Sequence, residues 1–449
     1  MMQLKEKSTQ RSIVSTCIDL FAGCGGLSLG LKGAGWEGVF AIERDPMAFE
    51  TLSNNLLKDD APYRSFAKWP EWLQKTNQDI VTILSDDKHR ENLRKLRGTI
   101  TLMAGGPPCQ GFSVGGRRDG ADERNNLVFQ MLDMVNLVQP RVVLIENVEG
   151  IARKFVARPG EEKMSVADEV INNLTSMGYV STYHILEARH FGVPQSRRRV
   201  AILGVLNAGI NSDELKSDFI DFLASSALSV RRSRGLQLSG DITAEEAIHD
   251  LHGGELKPCP DSLKFESSAY TKPISAYAKA MRCGIKTGSI PNSHRFSLHG
   301  ERIKELYDLA HRTQKPGRLS KSFLLENNTK KDKKVLIDPA ELVSTITTHP
   351  DEFIHYVDSR NITVREMARF QSFPDNFTFH GRYTINGPRR KFDVARCSQV
   401  GNAVPPLMAE AIGIAILGLL EKLDSRLASA PAEKITAPVT KDLFESLAC

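Results

Sequence analysis

The sequence predicts an α/β protein with a doubly wound, Rossmann-like sheet and a second, smaller domain of irregular structure. Two observations indicate this class. In the first 205 residues, short aliphatic and β-branched runs alternate with stretches of helical spacing, which is the β-α-β rhythm of a parallel sheet. Between about residues 209 and 340 this rhythm is lost, and basic clusters and turn-rich stretches replace it.

The predicted elements follow in chain order. The runs that predict strands are 18–21, 38–42, 99–104, 141–145 and 200–205. The residues around Leu27 and Leu31, and those of 126–138, have helical spacing, and the region from 362 is helical again. Residues 404–422 predict a long helix with an apolar face.

These elements divide the chain into four parts. Residues 1–208 form the N-terminal part of the sheet domain, and 209–340 form the irregular domain. Residues 341–426 return to the sheet domain, and 427–449 form a loose tail rich in alanine and proline.

Composition excludes several classes of protein. The chain has 449 residues, of which 41% are hydrophobic and 25% charged, as in ordinary globular proteins. The apolar run 411–420 lies between two glutamates and is too short to span a membrane, and the N-terminus lacks an apolar signal core. Seven scattered cysteines form neither a disulfide framework nor a zinc motif, so we expect no metal and a cytoplasmic location. The net charge of +5 is compatible with a polyanionic partner.

A glycine-rich loop follows the first predicted strand. Gly23 and Gly25 allow a sharp turn and a close approach to a ligand, and the next helix offers free N–H groups. Glu43, at the end of the second strand, can bind the hydroxyl groups of a ribose. Ser28 replaces the last glycine of a dinucleotide motif, which disfavours a nicotinamide or flavin oxidoreductase. S-adenosylmethionine fits better, with Phe21 facing its sulfonium cation.

A cysteine follows the third predicted strand in the segment GGPPCQGFSVGG. Pro107 and Pro108 restrict the backbone and so position the Cys109 thiol at the strand end, where α/β sheets place reactive groups. A structural cysteine is the alternative, but paired glycines and prolines pack poorly in a core. The loop that follows carries basic residues suited to phosphate contacts: Arg117, Arg118 and Arg124.

Two further segments place charged groups at strand ends. Glu146 ends the apolar run VVLIE, which favours the protonated, hydrogen-donating form of its carboxyl, although a helix cap is an alternative. In QSRRR, Arg197 and Arg199 alternate along an extended segment, so we expect them to converge on one ligand. A solvated basic patch is the alternative interpretation.

Together these segments resemble the DNA (cytosine-5)-methyltransferase family, of the type found in bacterial restriction-modification systems. The matching segments occur in the family's order along the chain: DLFAGCGG (19–26), AIERD (41–45), GGPPCQGFS (105–113), ENV (146–148), QSRRR (195–199), TVREMARFQSFPD (363–375) and QVGNAVPP (399–406).

The resemblance implies roles for individual residues. It implies that the catalytic residues are Cys109, Glu146, Arg197 and Arg199, and that Ser113, Arg117, Arg118 and Gln195 contact DNA. The residues implied for the S-adenosylmethionine site are Phe21, Gly23, Gly25, Glu43, Asp79, Ile80, Pro107, Asn402 and Val404. The irregular domain takes the place of the family's variable target-recognition domain.

The resemblance also implies a reaction and partners. Cys109 would add to carbon 6 of a flipped-out cytosine in duplex DNA, and carbon 5 would then take the methyl group. The expected protein is a monomer associated with the nucleoid, with or without a separately encoded restriction endonuclease. An RNA cytosine-5 methyltransferase and a catalytically silent binding protein are the alternatives; no N-P-P-[YFW] or D-P-P-[YFW] tetrapeptide indicates amino-methylation.

Overall fold

A six-stranded mixed sheet forms the centre of the molecule. The structure is a computed structural model that describes residues 15–108, 127–154, 164–329, 333–349, 351–384 and 393–429. The strand order in the sheet is β2-β1-β3-β4-β7-β5. The strands are β1 (Thr16–Leu20), β2 (Glu37–Ile42), β3 (Leu102–Gly105), β4 (Val142–Val148), β5 (Tyr179–Glu187) and β7 (Arg198–Leu206); β6 (Gln195–Ser196) lies outside this sheet.

The sheet is not wholly parallel, which corrects the predicted rhythm. Strands β1 to β4 pair in parallel, but β7 runs antiparallel to both β4 and β5. The connection 188–197 holds only a single 3₁₀ turn and β6, and such a short connection returns the chain antiparallel rather than across the sheet. Strand β5, whose sequence is YVSTYHILE, is the one the sequence interpretation missed.

The helices of the sheet domain form two contacting groups. Helix α14 contacts both α1 and α7, while α3 to α6 contact one another successively. Their bounds are α1 (Gly26–Gly33), α2 (Pro46–Leu52), α3 (Ile80–Ser85), α4 (Asp87–Lys95), α5 (Leu127–Val138), α6 (Val166–Ser176), α7 (Ser212–Ser233) and α14 (Pro406–Ser429), with a π-helical turn at Ser53–Leu57 and 3₁₀ turns at Glu149–Ala152 and Ala188–Phe191.

The C-terminal helix α14 packs tightly on the helix that follows the glycine loop. A Cβ atom at Gly30 would collide with Ala409, and the Trp36 indole N–H donates to the Gly413 carbonyl over 3.1 Å. The stretch 396–429 is long and apolar enough to cross a membrane, but 78% of its most apolar window is buried inside the protein. Burial of this kind is expected of a core helix, and α14 holds the two ends of the described chain together.

The boundary predicted at 208/209 is wrong, because the first helix beyond it belongs to the sheet domain. Helix α7 contacts β5 and α14. The Lys422 ammonium donates to Asp218 over 2.6 Å, and Phe222 lies so close to Gly418 that no Cβ would fit there. Helix α7 begins after its N-cap Asn211 and packs on the sheet domain as far as its end at Ser233, so the chain leaves that domain only after Ser233.

The region after α7 is irregular, as predicted, and contains a small core of its own. Its elements are α8 (Ala244–Ile248), β8 (Leu256–Cys259), β9 (Ser262–Ser268), α9 (Ala276–Arg282), α10 (Glu301–Thr313), β10 (Gly317–Arg318), α11 (Lys321–Glu326), β11 (Val335–Leu336), β12 (Val343–Ser344), β13 (Phe353–Ile354), α12 (Val364–Phe370) and α13 (Arg396–Asn402). Tyr307, Phe323 and Ile354 belong to a cluster separate from the main core. Helices α12 and α13 lead back to α14.

Candidate active site

The glycine loop after β1 is held in an unusual backbone conformation. Phe21, Gly23 and Gly25 all have positive φ angles, of 56°, 57° and 95°. For a bulky residue such as Phe21 this conformation costs about 1–3 kcal/mol, and such strain clusters at ligand sites. Phe21 and Gly23 remain partly exposed, whereas Gly25 is buried as the N-cap of α1. The loop therefore presents a partly exposed aromatic ring at the edge of the sheet.

Glu43 lies against this loop, as the sequence predicts. The Gly23 N–H donates to one Glu43 carboxylate oxygen over 2.9 Å, and the Asp45 N–H donates to the other over 2.7 Å. Burial raises the pKa of Glu43, and these two backbone hydrogen bonds partly oppose that effect. Each carboxylate oxygen keeps a lone pair. The carboxylate is thus fixed in place and can still accept a hydroxyl group.

Asp79 and Ile80 lie beside Glu43. The Gln78 N–H donates to the Glu43 carbonyl over 2.8 Å, which brings the start of α3 to the end of β2. Asp79 caps α3 by accepting from the Val81 N–H over 2.9 Å, and Ile80 is buried. One Asp79 oxygen is thus engaged as a helix N-cap, a role that the sequence interpretation did not anticipate.

A segment from the C-terminal part closes the same edge. A Cβ at Gly26 would collide with the Val404 carbonyl, so the glycine is what lets this segment approach α1. Val404 is buried, and Asn402 is exposed at the end of α13. We refer to residues 400–404 as the closing segment.

The turn that leads to Cys109 is anchored by Asn147. The Asn147 side-chain amide donates to the Pro107 carbonyl over 2.9 Å, and its oxygen accepts from the Val148 N–H over 2.8 Å. Pro107 is buried and Pro108 exposed. Cys109 itself, with the predicted DNA contacts Ser113, Arg117 and Arg118, lies outside the described residues. Sequence reasoning did not assign a role to Asn147, although its place in ENV was the available signal.

Glu146 lies beside that turn with unused hydrogen-bonding capacity. It is 8% exposed, and the Arg199 Nε lies 3.1 Å from its Oε1. This contact is an ion pair without hydrogen-bond geometry, so Oε1 has no hydrogen-bond partner among the described residues. A Cβ at Gly106 would lie 3.4 Å from Glu146 Oε2. The pKa of Arg199 is lowered by burial and raised in part by Glu146. A buried carboxylate oxygen without a hydrogen-bond partner at a strand end indicates a ligand site.

Replacing Asn147 by alanine is expected to lower kcat about tenfold or more while leaving cofactor affinity within about twofold of wild type. The substitution removes the hydrogen bond that fixes the Pro107 carbonyl, so the cysteine loop is less well positioned. Single-turnover methylation and calorimetric binding of S-adenosylhomocysteine would measure the two quantities. Asn173→Ala, on the exposed face of α6, is the matched control. An unchanged kcat would contradict the positioning role.

Gln195 does not contact the surface, which corrects its predicted DNA role. It is 0% exposed. Its amide donates to the Phe370 carbonyl over 2.7 Å and to the Gln371 side chain over 2.6 Å, and its oxygen accepts from the Ile346 N–H over 3.1 Å. With every polar group bonded inside the protein, Gln195 is a structural residue.

Arg197 and Arg199 do not converge on one ligand, contrary to expectation. Arg199 pairs with Glu146. Arg197 is 1% exposed, and its guanidinium donates to the carbonyls of Ile346, Gly401 and Ala403 over 3.1–3.2 Å. Arg197 lies between β6 and β7, so the regular alternation of one strand does not extend across it. Its hydrogen bonds go to Ile346 and to the closing segment, and none goes to Glu146.

A metal site is absent from the described ranges, where no cluster of three or more His, Cys, Asp or Glu side chains could hold an ion. The site consists of a glycine loop with its acid and, two strands further along the sheet, a buried carboxyl with its arginine.

Comparisons with known proteins identify the family. A model of the C-5 cytosine-specific DNA methylases matches residues 15–418. The Type II methyltransferase M.DdeI of Desulfomicrobium norvegicum is 30% identical over 426 residues, which cover 91% of this chain and 89% of that protein. The Type II methyltransferase M1.HphI of Haemophilus parahaemolyticus is 30% identical over 408 residues, which cover 90% and 86%.

The fold is likewise similar to that of a solved structure. A prophage protein of E. coli, assigned as a DNA modification methyltransferase, has a TM-score of 0.59 at 24% identity, covering 91% of this chain and 99% of that one. The chain belongs to the C-5 cytosine-specific DNA methylase family. Its activity is the transfer of a methyl group to carbon 5 of cytosine in DNA, and the family depends on S-adenosylmethionine.

Proposed function

We propose that this chain methylates a cytosine flipped out of a specific duplex sequence, with Cys109 as nucleophile and S-adenosylmethionine as methyl donor. The observation that carries the proposal is the buried Glu146 carboxyl beside Gly106, whose Oε1 has no hydrogen-bond partner among the described residues and lies 3.1 Å from Arg199. A cytosine ring has a nitrogen and a carbonyl oxygen that complement these two groups. The base reaches them only outside the stacked duplex.

The residues of the glycine loop fit the proposed cofactor. The Glu43 carboxylate, fixed by the Gly23 and Asp45 N–H groups, can accept hydrogen bonds from the ribose hydroxyls. The partly exposed Phe21 ring can face the sulfonium cation. When bound there, S-adenosylmethionine supplies an electrophilic methyl group. Asn402 and Val404 would hold its other side.

Glu146 and Arg199 would activate the base for attack by the thiolate. Carbon 5 of cytosine is a poor nucleophile until a sulfur–carbon 6 bond forms and makes the ring an enamine. A protonated Glu146 would donate its proton to N3 as that bond forms, while Arg199 would donate to the O2 carbonyl. After methylation a base removes the carbon 5 proton, the sulfur–carbon bond breaks, and N3 returns its proton to Glu146.

The relatives support the proposed partners. M.DdeI and M1.HphI carry the name of Type II methyltransferases, so we propose duplex DNA as the substrate and a separately encoded restriction endonuclease as the companion. A monomer that acts on DNA of the bacterial nucleoid, in the cytoplasm, is consistent with these partners.

Bisulfite sequencing of DNA from a host that expresses the chain tests the substrate. The expected result is methylated cytosine at one short sequence context and unmethylated cytosine elsewhere. The same methylation assay on transfer RNA tests the alternative of an RNA methyltransferase, which predicts methylation of RNA and none of DNA. Random or absent DNA methylation by a folded protein would contradict the proposal.

Exchanging residues 236–340 for the equivalent segment of a relative with different specificity is expected to transfer the target sequence. This segment excludes α7, which packs on α14, and includes the separate core around Tyr307 except for Ile354. Side chains from it would read base edges in the major groove. Bisulfite sequencing gives the result, and the exchange of α7 alone is the control. An active chimera that keeps its original sequence would show that recognition lies elsewhere.

A further inference from the structure

A buried polar junction connects the base site to the cofactor edge. Three side chains form it: Gln195, Arg197 and Gln371. The Gln371 amide donates to the carbonyls of Val400 and Ala403 over 2.6 and 3.2 Å and accepts from Gln195. Arg197 donates to the closing segment at two further points, Gly401 and Ala403. Gln371 and Arg197 thus donate four hydrogen bonds to the closing segment. A fifth, from Gln195, holds the Gln371 side chain in place.

Arg197 is the member of this junction that reaches both sites. Two residues along the chain, Arg199 pairs with Glu146. Towards the cofactor edge, Arg197 binds the carbonyls of Gly401 and Ala403. The next residue, Val404, places its carbonyl against Gly26 at the start of α1. No carboxylate hydrogen-bonds to the Arg197 guanidinium in the described parts of the chain, and burial lowers its pKa. Its charge is therefore balanced mainly by carbonyl dipoles, whose positions it fixes in return.

We propose that Arg197 is a positioning residue that couples cofactor binding to the target-base site, rather than a group that contacts the base. A ligand that orders the closing segment also orders the carbonyls that hold Arg197, and thereby the strand that carries Arg199. By linkage, a base held by Arg199 and Glu146 would tighten the cofactor by the same factor. This inference rests on the proposed cofactor and base sites.

The two roles predict different results for Arg197→Lys. A lysine keeps the positive charge, but its single nitrogen cannot span the carbonyls of Ile346 and Gly401 as the arginine fork does. If Arg197 positions the closing segment, the substitution weakens S-adenosylhomocysteine about tenfold or more in the absence of DNA. If Arg197 contacts the base, that affinity stays within about twofold and only turnover falls. Arg199→Lys is expected to show the second behaviour.

Arg231→Lys is the matched control for the loss of a buried, carbonyl-bound arginine. Arg231 is 3% exposed and donates to the carbonyls of Arg189, His190, Gln237 and Gly240, none of which belongs to the closing segment. We expect both lysine variants to lower the Tm, and only Arg197→Lys to weaken the cofactor analogue. Thermal unfolding without ligand measures the first effect.

The closing experiment is isothermal calorimetry of S-adenosylhomocysteine with full-length wild type, Arg197→Lys, Arg199→Lys and Arg231→Lys, each with and without a duplex that carries 5-fluorocytosine at the methylated position. The expected result is weaker binding and a smaller gain from DNA in Arg197→Lys alone. Wild-type affinity and a wild-type gain in Arg197→Lys would overturn the inference, as would equal weakening in Arg231→Lys. If wild type itself bound no analogue, the proposed cofactor site would fail instead.

Discussion

Cys109→Ala is expected to abolish methyl transfer and, with it, a covalent complex on DNA that contains 5-fluorocytosine. The thiolate adds to carbon 6 and the methyl group is transferred to carbon 5, but fluorine cannot leave carbon 5 as a cation, so elimination stalls. Wild type should then stay joined to the DNA through denaturing electrophoresis in the presence of S-adenosylmethionine. Alanine removes only the sulfur and leaves the hydrogen bond from Asn147 to the Pro107 carbonyl in place.

The control for this experiment is Cys283→Ala. Cys283 is an exposed thiol, remote in sequence from the loop after β3, and its removal should leave the covalent complex intact. Binding of S-adenosylhomocysteine to both variants shows that the fold is retained. An adduct that persists in Cys109→Ala, or none from an active wild type, would rule out this cysteine as the nucleophile.

Glu146→Gln is expected to lower kcat by about 10²- to 10⁴-fold, the usual contribution of a positioned acid. Glutamine can donate a hydrogen bond to N3 but cannot transfer a proton to it. Cofactor affinity should change little, because the Glu146 carboxyl contacts Arg199 and Gly106 rather than the glycine loop. Single-turnover rates at saturating cofactor, together with calorimetric binding, separate the two effects.

Glu149→Gln is the control for the expected loss of kcat in Glu146→Gln. Glu149 lies three residues further along the chain and pairs with Arg198 at a distance of 3.4 Å, with both side chains well exposed. Its neutral variant should keep wild-type turnover, since exposed ion pairs contribute little. Equal turnover in Glu146→Gln and wild type would remove Glu146 from the chemistry.

Local sequence predicted the parts of the site that lie at strand ends. Parallel strands bring their carboxyl ends to one edge, so Phe21 after β1 and Glu43 after β2 could be placed together from their order alone. The Gly23–Glu43 hydrogen bond is the structural counterpart of that expectation. Glu146, near the end of β4, follows the same rule.

Long-range packing decided what the local pattern could not. Arg197 was expected beside Arg199, but the carbonyls that bind it come from residues 346, 401 and 403, which no local pattern brings near. Gln195 is similar, because its partners lie about 150 to 176 residues away in sequence. The antiparallel direction of β7 was missed because strand direction depends on the length of the connection from β5, and β5 itself was not recognised.

The contact between α1 and α14 has a consequence for synthesis of the protein. The Trp36 indole and the Gly413 carbonyl that it binds are 377 residues apart in the chain. At about 5–20 residues per second, the ribosome takes about 20–75 s to produce the partner after the first helix has emerged. During that interval the side of α1 that carries Gly30 and Leu31 has no α14 to cover it. The nascent chain is thus a client for chaperones that bind apolar segments, and chains released before α14 is made should accumulate as aggregates rather than as partly active enzyme.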